Sequence, residues 1–419
     1  VAEPGLVDWY ITLGLRLGRH IDGLVDAYYG PPQYADRVQS EPEFPPDRLM
    51  AEARALLADI DAGAPLDAAA GTGSVGSAGT TGANGAAPAR RRWLRAQVLG
   101  LATTASKLHG NPIGYADEVE ACYGVRPTRM PEDELLEAHR QLDEVLPGTG
   151  PLADRLVTWR ESHAVPVDKL RPAIDSLAED LRARTATLFG LPEGEHVEFE
   201  LVTDQPWSGF NYYLGGLSSR VAVNTDLPVL STSLAHLVAH EAYPGHHTEH
   251  TRKEVGLVRR RRWLEESIFL VGTPQCLLAE GLADLGLEVV MGRHPEATVA
   301  EHLHALGIRY DTEVVGAVSA AGEALGGVRQ NAAFRLHEDG ADPDVVIDEV
   351  ARWGLLSRDR AAKSVEFLVH PTWRAYLTCY VEGLPLCRRF VGGDPARFDR
   401  LLAEQLTPAD LQADPAPTA

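Results

Sequence analysis

The chain is short of basic residues, of paired cysteines and of long apolar runs, and each shortage closes off a class of function. Thirty-nine lysines and arginines face 60 aspartates and glutamates, a formal charge of −21 over 419 residues. Such a surface repels a phosphate backbone, so nucleic acid is not an expected partner. The runs Arg90-Arg91-Arg92 and Arg259-Arg260-Arg261-Arg262 are local exceptions, read as solvated helix faces because each leads into an apolar helical stretch. Cys122, Cys276, Cys379 and Cys387 form no CxxC pair, which argues against a disulfide framework and for buried thiols in a reducing compartment. No apolar run reaches the ~18 residues of a membrane span, so no membrane partner is expected. The opening Val1-Ala2-Glu3-Pro4 lacks the regions of a signal peptide. The expected location is therefore the cytoplasm.

Helical periodicity dominates what is present. Leu6, Trp9, Tyr10, Leu13, Leu17, Ile21 and Leu24 make one apolar stripe over residues 5–27. Further helices are expected over 47–60, 91–108, 131–146 and 166–189. Between two of them, residues 63–88 are rich in Gly, Ala, Ser and Thr and read as a flexible loop. Alternation changes the texture at 197–202 and again at 220–225, predicting two strands of a small antiparallel sheet around the Gly-rich 209–219. Helices are expected to resume over 230–250, 275–291, 297–336, 343–353, 358–368 and 372–391. The reading is a mainly α, multi-helix, cleft-containing fold. It has an N-terminal helical region 1–195, a metal-binding region 196–405 and a tail 406–419.

The simple HExxH zinc motif is also missing, because Pro244 stands within the run His240-Glu241-Ala242-Tyr243-Pro244-Gly245-His246-His247. On an ideal helix His246 lies about 240° around from His240, and His247 lies ~10 Å along the axis. Either can share an ion with His240 only if the helix is distorted between them. Pro244-Gly245 supplies the distortion, since proline removes a helical hydrogen bond and glycine tolerates other angles. Two looped-out residues would carry His246 to the ligand position, so His246 is favoured and His247 is the alternate. Glu241, about 100° around from His240, misses the metal but reaches the water it activates, the place of a general base. The third ligand is expected from Glu280, a lone acid on an apolar face, because few acids are buried without a partner or a metal. Glu265 and Glu266 follow four arginines and read as solvated. His236, one turn before His240, reads as a core or supporting histidine.

At these residues the chain resembles the bacterial family designated domain of unknown function 885, whose signature is HExxPGHH. That family is similar in turn to the helical zinc peptidases related to carboxypeptidase Taq and the oligopeptidases. Residues 207–383 carry most of the likeness, with Leu24 to Pro31 a further segment. Glu280-Gly281 matches the family's EGWALY, although Leu282, Asp284 and Leu285 replace its Trp, Leu and Tyr. Arg329 to His337 is similar to a stretch in which Arg is followed eight residues later by His, with Ala333 where Asp is usual. Tyr380 and Gly383 match a closing YxxG segment, with Arg374 where Pro is expected.

The resemblance implies one Zn2+ per chain on His240, His246 and Glu280, with Tyr380 and His337 donating to an oxyanion. It also makes Arg329 a candidate substrate contact. The strand 221–225, with Asn224, is a candidate edge for an extended peptide. The expected function is a metallopeptidase cleaving small or extended peptides, with Glu241 as base. The alternatives are a zinc hydrolase of a non-peptide amide or secondary metabolite, and a binding protein that keeps metal for structure.

Overall fold

The computed structural model describes residues 5–67, 83–205, 207–370 and 373–416. The protein is mainly helical. The first stripe folds as Leu6–Gly18 and then stops, and Val25–Tyr28 forms strand β1 rather than a last helical turn. Helices Pro46–Asp61, Ala83–Leu108, Glu132–Val145 and Val167–Phe189 match the periodicity. The stretch expected as one helix over 297–336 is three, Glu296–Ala305, Thr312–Gly322 and Gly327–His337. Most of the expected flexible loop lies outside the described residues, and its end, from Ala83, is already helical. The expected tail contains the helix Pro408–Ala413, with Leu406 and Leu411 buried in the core.

The sheet corrects the sequence reading. β2 (His196–Val202) and β4 (Ser218–Asn224), expected to run antiparallel, are parallel neighbours. The Gly-rich stretch between them is itself a strand, β3 (Gly209–Gly215), antiparallel to β4. The order is β2-β4-β3, so β3 is an edge and β4 is interior. Both sides of β4 are hydrogen-bonded, and it offers no vacant edge to a peptide. The Asn224 amide donates to the carbonyls of Gln205 and Trp207, which fastens the β2–β3 loop. A second, two-stranded antiparallel sheet joins β1 to β5 (Ile268–Leu270).

One apolar core runs from Tyr115, Val119 and Tyr123 through Leu277, Leu282 and Leu285 to Phe390 and Phe398. The helix Pro274–Met291, here the ligand helix, is buried on nearly every face, which explains its all-round apolar sequence. It crosses Thr378–Val391 almost in backbone contact. A Cβ on Gly281 would stand 2.4 Å from the Gly383 carbonyl oxygen, and one on Gly383 would stand 2.7 Å from that of Leu277. Small residues at both crossing points are what permits the approach.

Of the two basic runs, Arg259 to Arg262 are exposed as expected, but the first differs at Arg90. Arg90 is buried and pairs with Asp67 and with Glu265, itself fully buried, at 2.8 and 2.5 Å. Glu266 is buried too and accepts from Gln275. A bidentate guanidinium compensates the carboxylate's lost hydration, so these charges tie the N-terminal helices to the segment after the motif. Composition alone gives no such pairing.

Candidate metal centre

The motif helix, Ser231–Glu241, ends where the sequence predicts distortion. Ala242 leaves helical geometry, the Tyr243–Pro244 peptide is cis, and a new helix runs from His246 to Lys253. Across the break the Gly245 amide donates to the Ala239 carbonyl, and the Thr248 amide to that of Ala242. Each bond spans six residues where an α-helix spans four. The two extra residues put His246 one effective turn from His240. A Cβ on Gly245 would lie 1.9 Å from the His240 carbonyl oxygen, so only glycine fits there.

Three side-chain acceptors converge at this point. His240 Nε2 is 3.1 Å from His246 Nε2 and 3.3 Å from Glu280 Oε2, and the last two are 3.9 Å apart. The His240 Nδ1–H donates to Asp284 at 2.9 Å, which leaves Nε2 with its lone pair turned inward. Glu280 Oε2 is buried and has no hydrogen-bond partner, while Oε1 accepts from Tyr376 at 2.8 Å. A tetrahedral ion with ligands at ~2.0–2.1 Å separates its donor atoms by about 3.3 Å. The three residues therefore fit zinc, and among the described residues no fourth His, Cys, Asp or Glu joins the group.

The electrostatics agree. Burial lowers the His246 pKa to about 4, so its imidazole is neutral and able to ligate. Burial opposes charge on His240, but its hydrogen bond to Asp284 and the Glu280 carboxylate 3.3 Å away outweigh that and hold its pKa well above 6.5. Glu241 carries no part of the triangle. Burial pushes its pKa up to about 7 against the pull of His240, and Asn211 fixes its backbone by donating to the Glu241 carbonyl. A Cβ on Gly209, in the edge strand β3, would stand 3.2 Å from Glu241 Oε1.

His247 faces the other way. It is fully buried, its Nε2–H donates to Glu195 at 2.9 Å, and Nδ1 accepts from the Ser219 hydroxyl at 2.8 Å. It braces the break against β4 and does not join the triangle. Tyr380 stands near the cluster through Tyr376, with the two hydroxyls 2.9 Å apart. His337 lies elsewhere: its Nε2 bonds the Leu368 carbonyl and its ring stacks on Tyr115. A helix C-terminus and an aromatic contact absorb it, and the structure does not bring it to the cluster. Arg329 lines a cavity of about 300 Å³ together with Arg160 and Tyr380.

Four residues near the centre escaped the sequence reading. Asp284 and Tyr376 hold His240 and Glu280, and Asn211 holds the end of the motif helix. Asp26 on β1 is the fourth: burial, then the charges of Glu280 and Glu241, push it up to about 7. Asp284 was legible as an acid one turn after Glu280. Asp26 and Tyr376 lie in segments that carry the resemblance but were given no role, and Asn211 had no local signal, since its partner lies 30 residues away.

No protein-family model and no curated protein matches the chain. Among solved structures, one from Colwellia psychrerythraea, described as a lipoprotein, is similar with a TM-score of 0.50 and 14% sequence identity. The similarity covers 91% of this chain and 68% of that one. At that identity the likeness concerns the fold alone. No described helix is long and apolar enough to cross a membrane.

Proposed function

We propose that the chain is a zinc-dependent hydrolase of peptides or related amides. The observation that carries the reading is the triangle of His240, His246 and Glu280, with an unligated buried Glu241 one residue from His240. Three protein ligands leave an open position, the pattern of catalytic zinc rather than closed structural zinc. When bound, zinc supplies Lewis acidity to a carbonyl and makes water acidic enough to lose a proton near neutral pH.

Glu241 then takes that proton and passes it to the departing amine, a role suited to a carboxylate whose burial favours the protonated form. Tyr380 donates its hydroxyl proton to the developing oxyanion, with Tyr376 steadying it from behind. β3 is the edge strand of its sheet and its Gly209 packs closely against Glu241, so an extended substrate would lie along β3. The guanidinium groups of Arg160 and Arg329 have no hydrogen-bond or ion-pair partner among the described residues, which suits the cavity they line to an acidic end of a substrate.

The test is elemental analysis of purified protein joined to a peptide-library digest with and without chelator. One zinc per chain is expected, with cleavage that chelator removes and zinc restores. Glu241→Gln should retain the zinc and lose ~10²-fold or more in turnover, the scale of a lost general base. A protein without transition metal, or a Glu241→Gln variant that drops its zinc, overturns the scheme.

A further inference from the structure

The two helices beneath the centre repeat their donor pattern one turn further out. His236 and His240 are four residues apart on the motif helix, and Glu280 and Asp284 are four apart on the ligand helix. Residues at that spacing stand one above the other on one helix face. Because the helices pack together, the four side chains make two rungs. His240 Nε2 meets Glu280 Oε2 at 3.3 Å, and His236 Nε2 meets Asp284 Oδ1 at 3.5 Å. The inner rung is closed by His246. The outer rung opens to solvent, with the His236 side chain 48% exposed and Asp284 13%.

Asp284 Oδ1 is also 2.9 Å from His240 Nδ1, and donor atoms of His236, His240 and Asp284 all lie within 4.8 Å of one another. Two imidazoles and a carboxylate are borderline donors of the kind zinc takes. The acid was not expected here, because the family that the sequence resembles carries Leu at the position of Asp284.

We propose that His236, Asp284 and His240 Nδ1 form a second, solvent-side zinc position that shares the His240 imidazole with the inner one. Filling it replaces the proton on Nδ1 with the metal, and that proton leaves to solvent. The outer ion binds more weakly than the inner one, because its histidine edge is open to water and it must displace a hydrogen-bonded proton. The inference rests on the reading of the inner triangle as a zinc site, and the experiment separates the two.

Apo protein is titrated with zinc alone, calorimetrically, in two buffers of different ionisation enthalpy. Wild type should show a tight equivalent and then a weaker one, the second with proton release. His236→Ala should keep the first and lose the second. His294→Ala, which removes an exposed histidine that belongs to neither rung, should keep both and so guards against adventitious surface binding. One tight equivalent only in wild type would sink the outer position, leaving Asp284 as the residue that orients His240. A second equivalent that survives His236→Ala would sink it as well. Loss of the first equivalent from wild type would instead overturn the inner zinc reading.

Discussion

Two of the places where a glycine is pressed against another backbone lie at the candidate centre, and they use it for opposite ends. At the break after the motif helix, Gly245 lets the chain abandon helical geometry, and hydrogen bonds stretch over six residues. At the crossing beneath the centre, Gly281 and Gly383 let two helices stay regular while their backbones nearly touch. The first brings His246 to His240. The second sets the depth of the ligand helix and hence the place of Glu280. A metal triangle drawn from two segments needs both, one irregular and one regular, and neither tolerates a side chain.

The largest effect should come from adding a single methyl at each place. Gly281→Ala forces the helices apart and should cost about 3 kcal/mol, the upper range for overpacking, read in denaturant unfolding. Gly245→Ala collides with the His240 carbonyl, so zinc retention should be lost with a smaller change in global stability. If both variants lose stability and metal in the same proportion, the contrast between the two glycines is broken.

The break itself is sharpened by its two adjacent histidines. His246→Ala removes a ligand and should abolish zinc retention in elemental analysis. His247→Ala should keep the zinc and lose roughly 2–4 kcal/mol of stability, because it leaves the buried Glu195 carboxylate short of a partner. Metal loss from the second variant, with folding intact, would mean that the two residues exchange roles.

A smaller, pH-dependent effect belongs to Glu195. Burial alone would raise its pKa, but hydrogen bonds from His247, Tyr243 and Arg182 outweigh that and hold it at about 2. A carboxylate held below its unfolded value of 4.5 stabilises the fold above that pH and loses its contribution as pH falls towards 2. Glu195→Gln should therefore melt below wild type at neutral pH, and the gap should close through that window in thermal scans. A gap that stays constant would deny Glu195 its place as the brace of the break.

Much of this was legible because its causes are local. Helical periodicity is set by which residues must face a core, and it located most helices. The Pro244-Gly245 pair announced a break of two residues because both amino acids carry backbone constraints with them. His240, Glu241, His246 and Glu280 are brought together by that local geometry and by one burial argument, that an acid on an apolar face needs a partner.

What the sequence by itself determined, then, was the helical class, the broken motif and the residue types able to hold a metal. Tertiary structure decided the rest, because long-range pairing leaves no local trace. Parallel rather than antiparallel neighbours for β2 and β4 depend on β3 pairing back between them in the chain, which alternation in a single strand does not encode. Arg90 and Glu265 read as solvated until the chain between them, a sequence separation of 175, folds to bury them against each other. His337 matched a spacing, yet packing against Tyr115 and the Leu368 carbonyl took it from the centre. Asp284 and His236 gained their partners only because two helices pack side by side, aligning two four-residue spacings whose pairing the sequence does not encode.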